Sequence, residues 1–520
     1  MLISTLLVAA LAVPAYYLAM RYNMHMLQLN GYVNTTHLRW LRGTFTHQWL
    51  LMVGFVLGLV RVLLPSVALD VVECVVLVLV ILVYRAMKHL NTKILLAYTP
   101  RVRRMVATDL VICGLVVLLV GLLAGLSPLS GAIMMLVSAQ LLMCLLVNLV
   151  NHPVEAGINR HYINDAKRKL AEVPGLKVLG VTGSYGKTSV KFYLQTLLQD
   201  RFNVLVTPES YNTPMGVVKT IRGQLKPTDE LFICEMGARC VGEIKEICDI
   251  VHPDWGVITS IGPQHLETFH TIENIKSTKF ELGDALPAGG LLFLNGDNEY
   301  IQQKAPGYDN VVFYYADGDG DGYRASDVSV SETGTEFTVT APDGESERFR
   351  IRLIGAHNVI NVVGAIAVAN KLGIPLRDLL VPARRLQPAE HRMQMRDHGQ
   401  VTIIDDAYNS NPVGSKAAVE TLALFHGTRV LVTPGMVELG DEEAEYNRKF
   451  GTYAASCCDY VVLVGRTRAV PIREGLLAEG FPEEKCIVCD RLEEGLAYAY
   501  GIGTEEHKYI LLENDLPDNY

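Results

Sequence analysis

Five apolar runs, residues 2–20, 50–64, 67–84, 110–126 and 132–150, fill most of the first 150 positions of a 520-residue chain. They constrain the fold more than any other feature. A helix of about 20 apolar residues crosses the hydrocarbon of a bilayer while satisfying its own backbone. The runs therefore predict a transmembrane domain of about five helices over residues 1–150. The second run is short and would need Gln48 and Trp49 at the interface. The first has Arg21 at its far end and no basic stretch before it, which reads as an anchor rather than a cleaved leader.

Charge predicts an orientation. Arg21, Arg39 and Arg42 lie in segment 21–48, and Arg85, Lys88, Lys93, Arg101, Arg103 and Arg104 in segment 85–109. The turns at Pro65-Ser66 and 127–130 carry no basic residue. The positive-inside rule then places the amino terminus outside and both basic loops inside. Five spans leave everything after residue 151 in the cytoplasm, as expected of a multi-pass protein of the cell (plasma) membrane. Arg61 and Asp70 flank the first turn at equal distance, so a hairpin brings them to similar depth. They either pair, with Glu73 on the same helix face, or snorkel to headgroups.

Residues 180–189 read Gly-Val-Thr-Gly-Ser-Tyr-Gly-Lys-Thr-Ser, between a strand-like run, 177–182, and a helix-like run, 190–198. Gly183 and Gly186 let backbone N–H groups close around phosphate, with Ser184 and Ser189 in the same stretch. Lys187 supplies positive charge, and Thr188 offers a hydroxyl to Mg²⁺. Only two residues separate Gly183 from Gly186, where the common motif has four. The bland alternative is an ordinary strand-to-helix turn.

A Lys- and Arg-rich amphipathic helix over 161–172, ended by Pro174-Gly175, makes 151–174 a linker. Strands at 204–206, 231–235, 255–259 and 291–295 alternate with helices at 241–250 and 272–286, an α/β pattern with a mostly parallel sheet. Residues 312–353 read as a β-rich flap or insertion, with a polar turn rather than a calcium loop at 317–321. A helix over 358–372 precedes a domain boundary at 382–388. Strands at 401–405, 429–432, 460–464, 485–488 and 509–512 predict a smaller doubly wound domain with ligand residues at strand carboxyl ends. The domains are thus 175–385 and 386–520. Ten scattered cysteines read as packed thiols, since a lone Cys486-Ile-Val-Cys489 is poor evidence for zinc. A net charge of −9 argues against nucleic acid as a partner.

Nine motifs then form an ordered set: Gly183-Ser-Tyr-Gly-Lys-Thr-Ser189, Tyr211-Asn-Thr-Pro-Met-Gly216, Glu235-Met-Gly237, Ile261-Gly-Pro-Gln-His-Leu266, Lys276-Ser-Thr-Lys279, Gly355-Ala-His-Asn-Val-Ile-Asn361, Pro388-Ala-Glu-His-Arg392, Asp405-Asp-Ala-Tyr-Asn-Ser-Asn-Pro412 and Gly435-Met-Val-Glu-Leu-Gly440. Over residues 175–520 the chain resembles the Mur ligase superfamily, and within it the MurF type, which joins D-alanyl-D-alanine to a UDP-N-acetylmuramoyl-tripeptide. The resemblance implies a central P-loop ATPase domain, a carboxyl-terminal Rossmann-like domain, and peptidoglycan (cell wall) biosynthesis. It departs from the family in front, where membrane spans stand in place of the domain that holds the UDP-sugar. Smaller departures are His391 for a glycine and Asn447 for a histidine.

The resemblance also implies roles. A carboxylate is activated by ATP as an acyl phosphate, and an amine displaces phosphate. Lys187, Glu235, His265 and Lys279 are the expected catalytic residues, with Thr188 and Glu235 suited to one Mg²⁺ and His265 to a second metal. Lys279 matches a lysine that the family carbamylates; alone it would read as an exposed helix lysine. Asn358 and Asn361 share a helix face expected to receive adenine, with Arg392 at phosphate and Asp406 at ribose. Asn212, Tyr408, Asn409 and Asn411 are expected at the substrates, and Glu438 is either structural or a substrate contact. Three functions stay open: a MurF-like ligase taking an amino acid or dipeptide and a cell-wall precursor, lipid-linked or held by a partner; a related ligase with another envelope acceptor or polymer; and an ATPase-driven transport component, for which more polar intramembrane residues are expected.

Overall fold

The computed structural model describes residues 2–44, 48–87, 95–209, 211–408, 410–503 and 505–515. The chain divides into two compact units, Met1–Arg160 and His161–Leu516.

The first unit is helical: α1 (Leu2–Leu29), α2 (Asn34–Gly43), α3 (Trp49–Leu63), α4 (Val67–Met87), α5 (Pro100–Ala124) and α6 (Leu129–Ala171), the last running on into the second unit. Four of them, α1, α4, α5 and α6, are long and apolar enough to cross a membrane. The second apolar run forms α3, whose 15 residues extend only ~22 Å against ~30 Å of hydrocarbon. By length, four of the described helices reach across unaided and α3 falls short. The basic segment 21–48 holds α2, which the sequence reading missed. The linker helix expected over 161–172 is the end of α6 rather than a separate element. Leu6, Val13, Val56, Val71, Leu82 and Leu122 are exposed on the outer faces, as suits an apolar solvent. Lys88 and Lys93 lie outside the described residues.

Close approach organises the interior. A Cβ on Gly58 of α3 would lie 2.6 Å from the Gly131 carbonyl oxygen of α6, and one on Gly131 would lie 2.5 Å from that of Gly58. Gly54, one turn earlier, faces Ser138. Small residues four apart let the two backbones touch. Arg61 and Asp70 pair rather than snorkel: Arg61 Nε lies 2.6 Å from Asp70 Oδ1, and both side chains are buried. Arg104 forks onto both oxygens of Glu155 at 2.7 and 2.8 Å.

The second unit contains two sheets. The larger has nine strands: β1 (Lys177–Thr182), β2 (Val204–Val206), β3 (Leu231–Glu235), β4 (Trp255–Ile258), β5 (Leu292–Asn295), β6 (Val311–Tyr315), β7 (Tyr323–Ser331), β8 (Gly334–Thr340) and β9 (Ser346–Ile351). Their order is β2-β3-β1-β4-β5-β6-β7-β8-β9, parallel as far as β7 and antiparallel beyond it. The expected flap at 312–353 is instead a continuation of this sheet, because β6 pairs in register with β5. Residues 317–321 are a polar turn whose Gly318 N–H donates to Asp297 at 2.9 Å. Helices cover both faces. On one, α7 (Lys187–Leu198) and helix His357–Lys371 pack Leu194, Val363 and Ile366 over Val181 and Phe293. On the other, helices Pro214–Gln224, Glu243–Val251 and Ile272–Asp284 bury Ile221, Ile247 and Phe280 against Phe232.

The second sheet comprises β10 (Gln394–Asp397), β11 (Val401–Asp406), β12 (Thr428–Thr433), β13 (Tyr460–Val464), β14 (Cys486–Cys489) and β15 (Lys508–Glu513). The order is β10-β11-β15-β12-β13-β14, with only β10 antiparallel. The boundary expected at 382–388 starts late in a helix, Leu376–Ala383, which contains Pro382.

Candidate active site

β1 lies between β3 and β4, and its carboxyl end runs into the glycine loop. Gly183 and Gly186 have φ of 150° and 81°. A Cβ on Gly183 would sit 2.1 Å from Thr259 Oγ1, and one on Gly186 2.5 Å from Asn361 Oδ1, so only glycine fits. The loop leans on the segment after β4. Ser184 N–H donates to the Ser260 carbonyl at 2.7 Å, Ser184 Oγ to that of Gly262 at 3.1 Å, and Tyr185 OH to that of Pro263 at 2.8 Å. This second wall supports a loop two residues shorter than the common one. Lys187 turns back on it, with Nζ donating to the carbonyls of Gly183 at 2.6 Å and Ser184 at 3.0 Å. Burial pushes its ammonium down to about 8, against the opposing pull of Glu235.

Glu235 ends β3 beside α7. Its Oε1 accepts from Thr188 Oγ1 at 3.1 Å and Asn212 Nδ2 at 3.0 Å, and its Oε2 lies 2.9 Å from Lys191 Nζ. Burial alone would raise this carboxyl, but Lys191 and then Lys187 hold it below the usual range. Lys191 is fully buried and was missed by the sequence reading. Its signal was there: it lies four residues after Lys187, on the same face of α7. Asn212, expected at substrate, uses its amide to hold Glu235. The adjacent Thr188 hydroxyl and Glu235 carboxylate are hard oxygen donors that fit Mg²⁺, which typically keeps water and phosphate oxygens as its other ligands. Among the described residues, no three His, Cys, Asp or Glu side chains converge on a metal position.

His265 precedes the short helix Leu266–Phe269 with φ of 52°. Its Nδ1 is hydrogen-bonded to Glu438, whose other oxygen lies 3.9 Å from Arg239 Nη2. Burial lowers the imidazole pKa, and Glu438 opposes that. Lys279 is only 2% exposed, not the surface lysine of the alternative reading. Its Nζ lies 5.8 Å from the centre of the Phe269 ring. Burial first, and the charge of Lys187 second, push Lys279 down to about 7.

The two helix asparagines differ. Asn358 is committed internally, accepting from Tyr193 OH at 3.0 Å and donating to the Ile354 carbonyl at 2.9 Å. Asn361 is the one against the glycine loop. Ser189, at the start of α7, interacts with Tyr193.

In the second sheet, the Arg392 guanidinium lies 4.6 Å from the centre of the Tyr408 ring. Asp406 at the end of β11 accepts from Met393 N–H at 3.1 Å and is in register with Glu513 on β15. Burial and the charge of Asp406 push the Glu513 carboxyl well above the usual range, and burial raises that of Asp406 as well. Glu513 also accepts from Ser410 Oγ at 2.6 Å; the sequence reading ended this strand one residue earlier and gave Glu513 no role. Asn411 caps helix Pro412–Leu422 by accepting from Gly414 N–H at 2.8 Å. Tyr408 is exposed, and Asn409 lies outside the described residues. Asn447, one of the departures, is buried and brackets the Met436 backbone at 2.9 and 3.0 Å. That fixes the turn presenting Glu438. A cavity of about 410 Å³ opens between Pro263 on one side and Pro412, Lys416, Met436 and Lys449 on the other.

Comparisons with known proteins cover both sheets. Residues 181–369 match the family profile described as Mur ligase middle domain, and residues 391–513 match that of the Mur ligase, glutamate ligase domain. The UDP-N-acetylmuramoyl-tripeptide–D-alanyl-D-alanine ligase of Bacillus subtilis (strain 168) is 33% identical over 316 residues, covering 60% of this chain and 67% of that one. The ligase of the same name from Mycobacterium tuberculosis (strain H37Rv) is 34% identical over 59% of this chain and 62% of its own. The chain thus spans about two thirds of the length of such relatives. Among solved structures, MurF from Acinetobacter baumannii superposes with a TM-score of 0.63 at 25% identity, over 70% of this chain and 78% of that one. MurF ligase from Thermotoga maritima in complex with ADP gives 0.60 at 26%, over 69% and 80%.

Proposed function

This chain belongs to the Mur ligase family, and on that premise we propose that it is an ATP-dependent ligase forming an amide between a cell-wall precursor's carboxylate and the amine of an amino acid or dipeptide such as D-alanyl-D-alanine. The observation that carries the reading is the convergence of Lys187, Thr188, Lys191 and Glu235 behind one glycine loop. A substrate carboxylate oxygen attacks the γ-phosphorus, the bond to ADP breaks, and an acyl phosphate forms. The amine nitrogen then attacks the acyl carbon, phosphate leaves, and the nitrogen loses its proton. Two anions must meet in the first step, so cations and loop N–H groups dominate. Lys187 swings from its loop carbonyls onto phosphate oxygen, while Lys191 holds Glu235 ionised. Thr188 and Glu235 would hold Mg²⁺, which would supply charge neutralisation on the phosphates.

Lys279 fits the carbamylated role. Its depressed pKa keeps much of the amine neutral, and a neutral amine can attack CO₂, forming an N–C bond and releasing a proton. The product is an anion, which turns repulsion by Lys187 into attraction. The cavity beside Asn411 offers Lys416 and Lys449 to the carboxylate of an incoming dipeptide.

The acceptor in this reading is lipid-linked, since the matched region starts at residue 181 and four membrane-length helices precede it. In this reading the helical unit spans the cell membrane with the short α3 as a fifth crossing, which keeps both basic segments and the ligase sheets on the cytoplasmic side, where ATP is. Mass spectrometry of full-length protein with ATP, Mg²⁺, D-alanyl-D-alanine and either a lipid-linked or a UDP-linked tripeptide tests this. Amide product mainly on the lipid-linked acceptor supports it. Equal rates on both reduce the helices to an anchor. Product only on other envelope acceptors points to a sister ligase, and ATP turnover without any amide points to transport.

A further inference from the structure

The helical unit buries charges that ligase chemistry does not use. Ser4 of α1, Arg61 of α3, Asp70 and Glu73 of α4, and Ser130 of α6 meet in one cluster. Asp70 accepts from Arg61 Nε at 2.6 Å, Ser4 Oγ at 2.5 Å and Ser130 Oγ at 2.8 Å. A carboxylate with three donors is a settled anion, and Arg61 balances its charge. Glu73 is different. It is fully buried, and among the described residues its oxygens have no hydrogen bond of normal geometry; the Ser130 hydroxyl, committed to Asp70, is only a weak influence on it. Arg61 is equally buried, and its Nη1 and Nη2 have no hydrogen-bond partner among the described residues either. The titratable groups around Glu73 are Arg61 from α3 and Asp70 and Cys74 from α4 itself, while α1 and α6 contribute hydroxyls.

An ionised Glu73 would leave two buried carboxylates sharing the single charge of Arg61, a net negative charge in apolar surroundings, the least favourable state for a carboxyl. We propose that Glu73 is a proton-binding site of the helical unit, set beside the fixed Arg61–Asp70 pair. Hydronium gives a proton to a Glu73 oxygen and leaves as water. Water also suits the approach, since it accepts from Arg61 and donates to Glu73. Taking up the proton removes the net charge where α1, α3, α4 and α6 meet, so the helices carry an exchangeable site in addition to any anchoring role.

The inference rests on the reading that these helices lie in a membrane, which alkaline extraction of membranes carrying the full chain tests separately. The site is tested by infrared spectra of full-length protein in lipid nanodiscs, wild type against Glu73→Gln, across roughly pH 5–9. Glutamine mimics the neutral carboxyl in shape, so the variant stays folded, as its thermal midpoint checks. The expected result is a protonated-carboxyl C=O band that is lost in Glu73→Gln, shifts in D₂O and weakens as pH rises. No band lost in the variant means an ionised Glu73 and overturns the proposal. A band indifferent to both D₂O and pH means a locked structural proton and overturns it equally. A band suppressed by sodium at constant pH replaces the proton with a metal cation.

Discussion

His265, from the loop after β4, and Glu438, from the loop after β12, are hydrogen-bonded to each other, and both hold left-handed backbone, at φ of 52° and 64°. Non-glycine residues keep such conformations only where their surroundings enforce them, and they cluster at functional sites. The contact fixes the imidazole through Nδ1, which in the proposed function leaves Nε2 to serve the reaction. Glu438→Ala is therefore expected to lower kcat by ~10–100-fold, as for other residues that orient a ligand. ADP affinity by calorimetry should stay unchanged, and Glu438→Gln should recover part of the loss. An unaltered kcat in the alanine variant would sink the idea.

Lys279 gives a pH prediction. Its folded pKa of about 7 lies below the ~10.4 of an unfolded lysine. Between those values the unfolded chain holds a proton that the folded chain lacks, so this group's contribution to stability rises with pH. Lys279→Met should flatten that slope in thermal melts. For activity, carbamylation needs the neutral amine, so turnover should fall as pH drops through about 7 and recover partly with added bicarbonate. Lys279→Ala should be inactive and partly rescued by a short carboxylic acid. A fully active alanine variant contradicts the role.

The two lysines of α7 should separate by readout. Lys187→Ala removes the cation meant for phosphate, so ligation disappears while the melting temperature holds. Lys191→Met leaves Glu235 buried without its ion-pair partner, a loss of about 3–5 kcal/mol, visible in urea unfolding of solubilised protein. Equal stability of the two variants would argue against this division.

Arg61 and Asp70 should behave as a unit. Each alanine variant strands a buried charge, so each lowers the stability of the helical unit, while the double variant loses less than the sum. Strictly additive losses would show that the 2.6 Å contact carries little coupling.

Much of this was legible in the sequence because local pattern and tertiary role coincide. The parallel strands β1, β3, β4 and β11 are short apolar runs ending in turn residues, and the glycine loop announces itself. Hairpin symmetry puts Arg61 and Asp70 at similar depth, and packing decides for pairing over snorkelling. Other features depend on partners far along the chain. β10 reads Gln-Met-Arg-Asp and has no apolar alternation; only antiparallel pairing with β11 makes it a strand. Residues 312–353 looked like an insertion because nothing local says that β6 docks beside β5. Asn212, Asn358 and Asn411 stood in motifs that suggested ligands, yet their amides hold a carboxylate, a tyrosine and a helix end. The polar interior of the helical unit was equally hidden, since Gln140 and Glu73 are isolated within apolar runs, Asp109 stands at the edge of one, and all three meet their neighbours only on packing.

The folded-back side chain of Lys187 has a kinetic consequence. With its ammonium satisfied by the carbonyls of Gly183 and Ser184, the loop is self-plugged at rest. An arriving triphosphate must evict the lysine from its own loop, exchanging two hydrogen bonds for new ones rather than simply gaining them. The same exchange runs backwards after turnover. In the proposed reaction the same two carbonyls give the lysine a prepared seat to return to as ADP departs.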